Sequence, residues 1–329
     1  MSLPVHRRSV LVCGLVLATT AVVGGYALAS GPVTVAPLDV VRTLLGHGSS
    51  LTNFAVLELR LPRLLTGILV GAALGISGAV FQSLSRNPLG SPDIIGFTYG
   101  SVTGGLLVIT FFSGTSAAVS GGAVVGGLAT ALLVYLLAWQ QGVRGYRLVL
   151  VGLGMSAILQ SVNFYLLVSA QLADATRGMV WLTGSLSNRG WAPVGPLAIA
   201  LLLILPSIML VAGRLTMLEM GDDTAHALGV PVERTRLYLL VTGTAACAVA
   251  TAAAGPIAFV ALAAPQLARR LTRTPGPGLL PATCVGALIV TVADVAVGHV
   301  PGLTTLPVGV ATATLGGAYL GWLLWRREN

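Results

Sequence analysis

Long apolar runs separated by short polar turns dominate this chain. They fall near residues 9–30, 62–82, 94–113, 117–139, 148–170, 192–213, 237–254, 256–268, 279–298 and 306–325. Most are about twenty residues long, which is what a helix rising 1.5 Å per residue needs to cross a ~30 Å hydrocarbon core. A backbone in lipid must satisfy its own hydrogen bonds, so such runs predict helices rather than open strands. The expected fold class is an all-α integral membrane protein of about ten transmembrane helices, a single domain over 1–329. The least regular pair is 237–268, where Gly255-Pro256 interrupts one long run. Proline removes a backbone donor and breaks a helix, which predicts two segments with a short second one.

Residues 9–30 also allow a signal peptide, since Ala27-Leu28-Ala29 resembles a cleavage site. An apolar core of about twenty residues exceeds the ~7–15 of such peptides, so a retained first helix is expected. Small residues recur inside the runs, as in GAALGISGA (71–79), GGAVVGG (121–127) and ATAAAG (250–255). Close backbone approach through Gly and Ala is how helices pack tightly in lipid, and a compact bundle follows.

Charge sharpens the topology. Only 9% of residues are charged while 55% are hydrophobic, too few charges to coat a soluble globule. The cationic residues number 18, all arginine, for a net charge of +8. They sit at the ends of apolar runs and form no basic face, so nucleic acid is not an expected partner. With the N-terminus inside, ten spans place Arg42, Arg60, Arg63, Arg177 and Arg189 outside and every other arginine in the cytoplasm. Fusing 237–268 would move Arg269, Arg270 and Arg273 outside. The positive-inside bias therefore favours ten spans with both termini cytoplasmic. Residues 31–59 become an external segment, and 85–93 and 214–236 become inner loops.

Candidate chemistry is sparse. Cys13, Cys247 and Cys284 lie in separate apolar runs without a CxxC, and His6, His47, His226 and His299 are isolated. No metal site, cofactor or catalytic cluster is expected, which counts against a membrane-embedded enzyme. An ion-coupled secondary transporter, the rival reading, needs ionisable groups at membrane depth. Asp294 is the exception, near the outer end of its run, where helix capping or a polar contact suits it. Gln160 and Asn163 are three apart and share a helix face, suited either to bonding neighbouring helices or to lining a pathway. No GxxxxGK[ST] phosphate loop is present, so ATP is not bound in that manner.

The longest inner loop, RLTMLEMGDDTAHALGVPVERTR (214–236), predicts a short helix from Asp222 to Leu228, ended by Gly229 and Pro231. Asp222 and Asp223 suit its free N–H groups. Ala225, Ala227 and Leu228 give it a small, partly apolar surface. Either it joins two spans or it is a knob for a soluble partner. The inner loop SRNPLGSPDIIG (85–96) is too rich in Pro and Gly to continue a helix.

Four segments carry a resemblance: RLPRLLTGILVGAALGISGAVFQSLSRNPLGSPDIIGF (60–97), LEMGDDTAHALGVPVERTRL (218–237), GPIAFVALAAPQLARR (255–270) and LPVGVATATLGGAYL (306–320). In this order, and over nearly the whole chain, they resemble the iron–siderophore (FecCD-type) permeases of ATP-binding-cassette importers, most closely the ferric enterobactin branch. The resemblance implies a type II importer permease fold in the bacterial cytoplasmic (inner) membrane. Its partners would be a homologous permease subunit forming a heterodimer, two ATPase subunits holding ATP and Mg, and an extracytoplasmic siderophore-binding protein. The chain itself would have no nucleotide site.

On that resemblance Arg60 and Arg63 dock carboxylates of the binding protein, and Asn87, Pro88 and Leu89 form an inner gate completed by the 141–147 loop. Glu219, Gly221, Asp222, Asp223, Thr224, Ala225, Leu228 and Gly229 form the ATPase coupling segment, and Gln160 and Asn163 lie along the pathway. A third docking arginine of the cobalamin relative is replaced here by Gly298, beside His299. The gate loop has Gly145 and Tyr146 where that relative has small hydroxyl residues. Trp181 and Trp191 are expected at the membrane interface. The implied cargo is an enterobactin-like ferric siderophore, with haem or cobalamin as the alternative.

Overall fold

The computed structural model describes residues 7–31, 33–112, 114–139, 145–274, 276–299 and 306–328, the last ten of these by backbone alone. In chain order the helices are α1 (Arg7–Ala29), α2 (Pro37–Leu44), α3 (Ser50–Asn53), a π-helical stretch (Phe54–Arg60), α4 (Leu61–Ser85), α5 (Pro92–Ile95) and α6 (Phe97–Phe112). There follow α7 (Ser116–Ala138), α8 (Gly145–Ser169), α9 (Leu172–Leu182), α10 (Val194–Leu210), α11 (Ala212–Glu219) and α12 (Asp222–Ala227). The chain ends with α13 (Val232–Ala254), α14 (Val260–Thr272), α15 (Leu279–His299) and α16 (Val308–Glu328). No strand occurs among the described residues.

Each apolar run lies on a helix, but not each helix is long enough to cross. Among the described residues six are: α1, the continuous helix over Ser50–Ser85, α7, α8, α13 and α15. The pair α10–α11, bent by 55°, makes a seventh if taken as one broken span. Phe97–Phe112 is apolar but shorter, and in the 21-residue α16 the apolar stretch Val308–Ala318 precedes the residues described by backbone alone. With 13 residues, α14 reaches only about 20 Å.

Three expectations shift. The helix expected to begin at 62 begins at Ser50 and runs 36 residues, drawing about a third of the expected external segment into it. The 171–191 loop contains α9, whose Trp181 packs against Gly105 and the apolar cluster that holds Leu106. The 237–268 run does split, yet the break covers Gly255 to Phe259, and α14 starts four residues later than its apolar run. Gly255 and Phe259 both have left-handed backbone, at φ 77° and 67°. That conformation disfavours any non-glycine residue, so surrounding structure must hold Phe259 in it.

The centre of the bundle is α4, buried along most of its length between α13, α14 and α15. Glycine makes this possible. A Cβ at Gly71 would overlap the Gly286 carbonyl, one at Gly75 the Ala282 carbonyl, and one at Gly78 the Ala261 carbonyl. The α6–α7 pair repeats the device, with Gly104 against Gly122 and Gly100 against Gly126. Peripheral helices are different: α8 buries only Leu148, Gly152, Ser156, Asn163 and Leu166. Two cysteines that sequence spacing separates are brought together, since the Cys13 thiol on α1 meets the Cys284 thiol on α15 and both are free.

Candidate functional site

The candidate inner gate segment starts where α4 stops. Arg86 takes left-handed backbone at φ 49°, turning the chain out of the helix, and the Asn87 N–H closes back on the Gln82 carbonyl at 3.1 Å. The Asn87 side chain then accepts from the Leu89 N–H at 2.9 Å, a local turn that asparagine makes well. Ser91 caps α5 by accepting from the Ile94 N–H, and Pro92 occupies the first helical turn, where no donor is lost. Leu89 stands at the tip, 45% exposed. From the opposite side Gln266 on α14 donates to the Pro88 carbonyl at 2.8 Å. Gln82 reinforces the same junction, donating to the Leu262 carbonyl at 2.9 Å and accepting from Arg269. The turn is thus a braced structure.

The candidate coupling segment folds as its residues suggest. Gly221, at φ 122°, leads into α12, and Asp222 and Asp223 occupy the first turn. Gly229, at φ 78°, ends it, and the Val230 N–H returns to the Ala225 carbonyl at 3.0 Å. This is a Schellman closure, which needs a left-handed residue where Gly229 stands. Asp223, Thr224, Leu228 and Gly229 are exposed, with Glu219 and Gly221 half-buried. Ala225 departs from expectation: it is fully buried in the core rather than part of an outer surface. Successive helical residues turn by about 100°, so in a helix of six residues one side must face the bundle.

Asp222 faces inward as well. Its carboxylate accepts from Arg86 at the end of α4 and from Arg236 of α13, the latter at 2.8 Å. Arg236 is only 2% exposed and also donates to Glu233 at 3.0 Å. The coupling segment and the gate turn, far apart in sequence, therefore share one carboxylate.

At the other end of the molecule both candidate docking arginines have partners within the chain. Arg63 makes a bidentate pair with Asp294, its Nε and Nη2 lying 2.9 and 2.8 Å from the two oxygens. This is the planar match that guanidinium and carboxylate favour, and it identifies the polar contact of Asp294. Arg60 donates to the Leu28 carbonyl at 2.7 Å and to the Val33 carbonyl, tying α1 to the start of α4. His299 has its Nδ1 2.8 Å from the Val295 carbonyl and its ring 5.1 Å from Tyr26. Trp191 is 45% exposed and donates to the Leu57 carbonyl.

Between these ends lies an open cavity of about 480 Å³, lined by α5, α6, α8, residues 256–258 and α16. Gln160 and Asn163 both line it, so the shared face predicted for them is real. Asn163 also accepts from Thr103 at 2.7 Å and donates to the Tyr99 carbonyl at 3.3 Å. Tyr165, 70% exposed, points elsewhere. Sequence reading missed Asp93, placed in a loop but found at the cavity wall, bonded by the Thr98 hydroxyl at 2.5 Å and the Phe259 N–H. Burial raises its carboxyl above the ordinary range, and those two hydrogen bonds oppose the shift. The contact with Phe259 supplies one of the restraints its backbone requires. Of the 141–147 loop, residues 141–144 lie outside the described residues. Gly145 begins α8 against the Leu84 carbonyl, and Tyr146 is exposed. No metal-holding cluster of His, Cys, Asp or Glu occurs among the described residues.

A family model described as the FecCD transport family matches residues 18–326. The chain belongs to the FecCD transport family. Its relatives in that family include the ferric enterobactin transport system permease protein FepG of Escherichia coli, 44% identical over 320 residues that cover 97% of each chain. The FecCD chain is also 36% identical to YfhA of Bacillus subtilis, described as a probable siderophore transport system permease, over 98% of this chain and 97% of the relative. Its fold matches a solved structure described as an inward-facing conformation of a metal-chelate type ABC transporter. That match has a TM-score of 0.84 and 27% identity, and covers 96% of this chain and 99% of the other. FecCD membership and its long apolar helices make this a multi-pass transport permease.

Proposed function

We propose that the chain is one permease subunit of an ATP-driven importer that carries an enterobactin-like ferric siderophore across the cytoplasmic membrane. The observation that carries this reading is the end-to-end similarity to a ferric enterobactin permease at 44% identity. In this reading ten segments cross or enter the membrane, both termini are cytoplasmic, and a homologous permease completes the pathway along the cavity bearing Gln160 and Asn163. Two ATPase subunits engage the exposed side of α12, where Asp223, Thr224, Leu228 and Gly229 stand clear of the bundle. Their closure displaces that lever, and the Asn87–Leu89 turn opens or closes the inner side. Arg60 and Arg63 mark the face that meets the binding protein. An incoming carboxylate there would compete with Asp294 for Arg63, whose side chain remains 33% exposed.

The test is transport in vesicles holding the complete importer, with a panel of labelled ferric chelates, haem and cobalamin. Uptake of a catecholate ferric siderophore is expected, with strict dependence on ATP hydrolysis. Accumulation driven by a proton gradient without the ATPase subunits would overturn the proposal. Labelling of terminal tags from the cytoplasmic side alone is expected, and labelling of either from outside would overturn the ten-segment topology.

A further inference from the structure

Asp222 lies in the coupling segment, and its half-buried carboxylate is engaged by two guanidinium groups. Of the two guanidinium groups it binds, one is fixed and the other is not. Arg236 is 2% exposed on α13 and is held by Glu233 as well. Arg86 is 40% exposed, and it is the residue directly before Asn87. Arg86 is also the left-handed residue that turns α4 into the gate segment, so a pull on its side chain acts on the hinge of that turn. Across the turn, Gln266 on α14 holds the Pro88 carbonyl. The gate segment is therefore suspended between α12 and α14, and relative motion of those helices must deform it or break one tie.

Resting on the reading that α12 receives the ATPase stroke, we propose that Asp222 and Arg86 are positioning residues that transmit it to the gate. In this role Asp222 acts through Arg86. Its chemistry suits the task. A guanidinium–carboxylate pair is directional and charge-assisted, so it transmits a pull as well as a push. Partial exposure keeps it weak enough to part and re-form in each cycle. The Arg236 contact keeps the carboxylate aimed while α12 moves as a unit, closed at its end by the Gly229 turn.

The experiment uses the complete importer in vesicles and reads three quantities: co-purification of the ATPase subunits, ATP hydrolysis, and ferric enterobactin transported per ATP. Arg86→Gln should lower cargo per ATP about ten-fold while co-purification and hydrolysis stay within about two-fold of the parent, and Asp222→Asn should lower cargo per ATP to a similar extent. Arg86→Lys, which keeps the charge, should recover most of the loss. Arg86 is partly exposed, so its substitutions are compatible with folding and carry the test if Asp222→Asn does not accumulate. Unchanged cargo per ATP in Arg86→Gln would overturn the proposal and leave the lever reading intact. Loss of ATPase co-purification in Asp222→Asn alone would also overturn it, making Asp222 a docking residue. Failure of the lever reading itself would appear elsewhere, as normal co-purification and transport when Leu228→Arg changes the exposed face.

Discussion

Helix α4 meets its neighbours in two ways. From Gly71 to Gly78 it touches α15 and α14 backbone to backbone, with no side chain between them. At Arg86, Gln82 and the Pro88 carbonyl just beyond it, contact with α12 and α14 runs through long polar side chains. Glycine contacts have no torsions to adjust, so they hold one geometry or none. Ion pairs and amide bonds on flexible stems tolerate displacement and can exchange partners. The same helix is thus built as a fixed axle in its middle and as an adjustable joint at its C-terminal end.

The largest effect should come from disturbing the axle. Gly75→Leu drives a side chain into the Ala282 carbonyl and should cost about 3 kcal/mol, the upper range for overpacking. The expected result is loss of a monodisperse peak in detergent, and a variant melting at the parent temperature would refute the rigid-axle description. Next in size is the Arg63–Asp294 ion pair. Arg63→Gln should destabilise by about 2 kcal/mol by leaving the Asp294 carboxylate, 15% exposed, without its bidentate donor. Adding Asp294→Asn should recover part of that loss, and thermal melts of the four proteins that proved simply additive would contradict the coupling.

Gly229→Ala tests the joint. Its backbone is left-handed but its surroundings are open, so strain of about 1 kcal/mol is expected without any clash. ATPase co-purification should weaken while the bundle's melting temperature barely moves. A fall in melting as large as that of Gly75→Leu would erase the distinction between the two regions. Smallest of all, Arg42→Ala removes an exposed pair with Asp39 and should change stability by less than about 0.5 kcal/mol. A larger shift in melting would mean that surface pairs in this chain contribute more than their exposure allows.

Much of this was legible beforehand. The turn at 85–96, the helix at 222–228 and the break near 255 follow from Pro, Gly and Asp placement, because those residues act on their own backbone. Gln160 and Asn163 share a cavity because helix periodicity is local. Other features were not legible for a matching reason. Ala225 looked like surface because a six-residue helix does not reveal which side the bundle covers. Asp93 looked like loop because its burial depends on residues 256–259, far along the chain.

The sequence by itself determined a helical membrane protein, its family, and where its backbone must turn, since hydropathy, length and turn chemistry are properties of neighbouring residues. Tertiary structure alone decided which charges meet: Arg63 with Asp294, and Arg86 and Arg236 with Asp222. Those pairings join residues separated by 231, 136 and 14 positions, and only the packing of α4, α12, α13 and α15 against one another sets the distances between them.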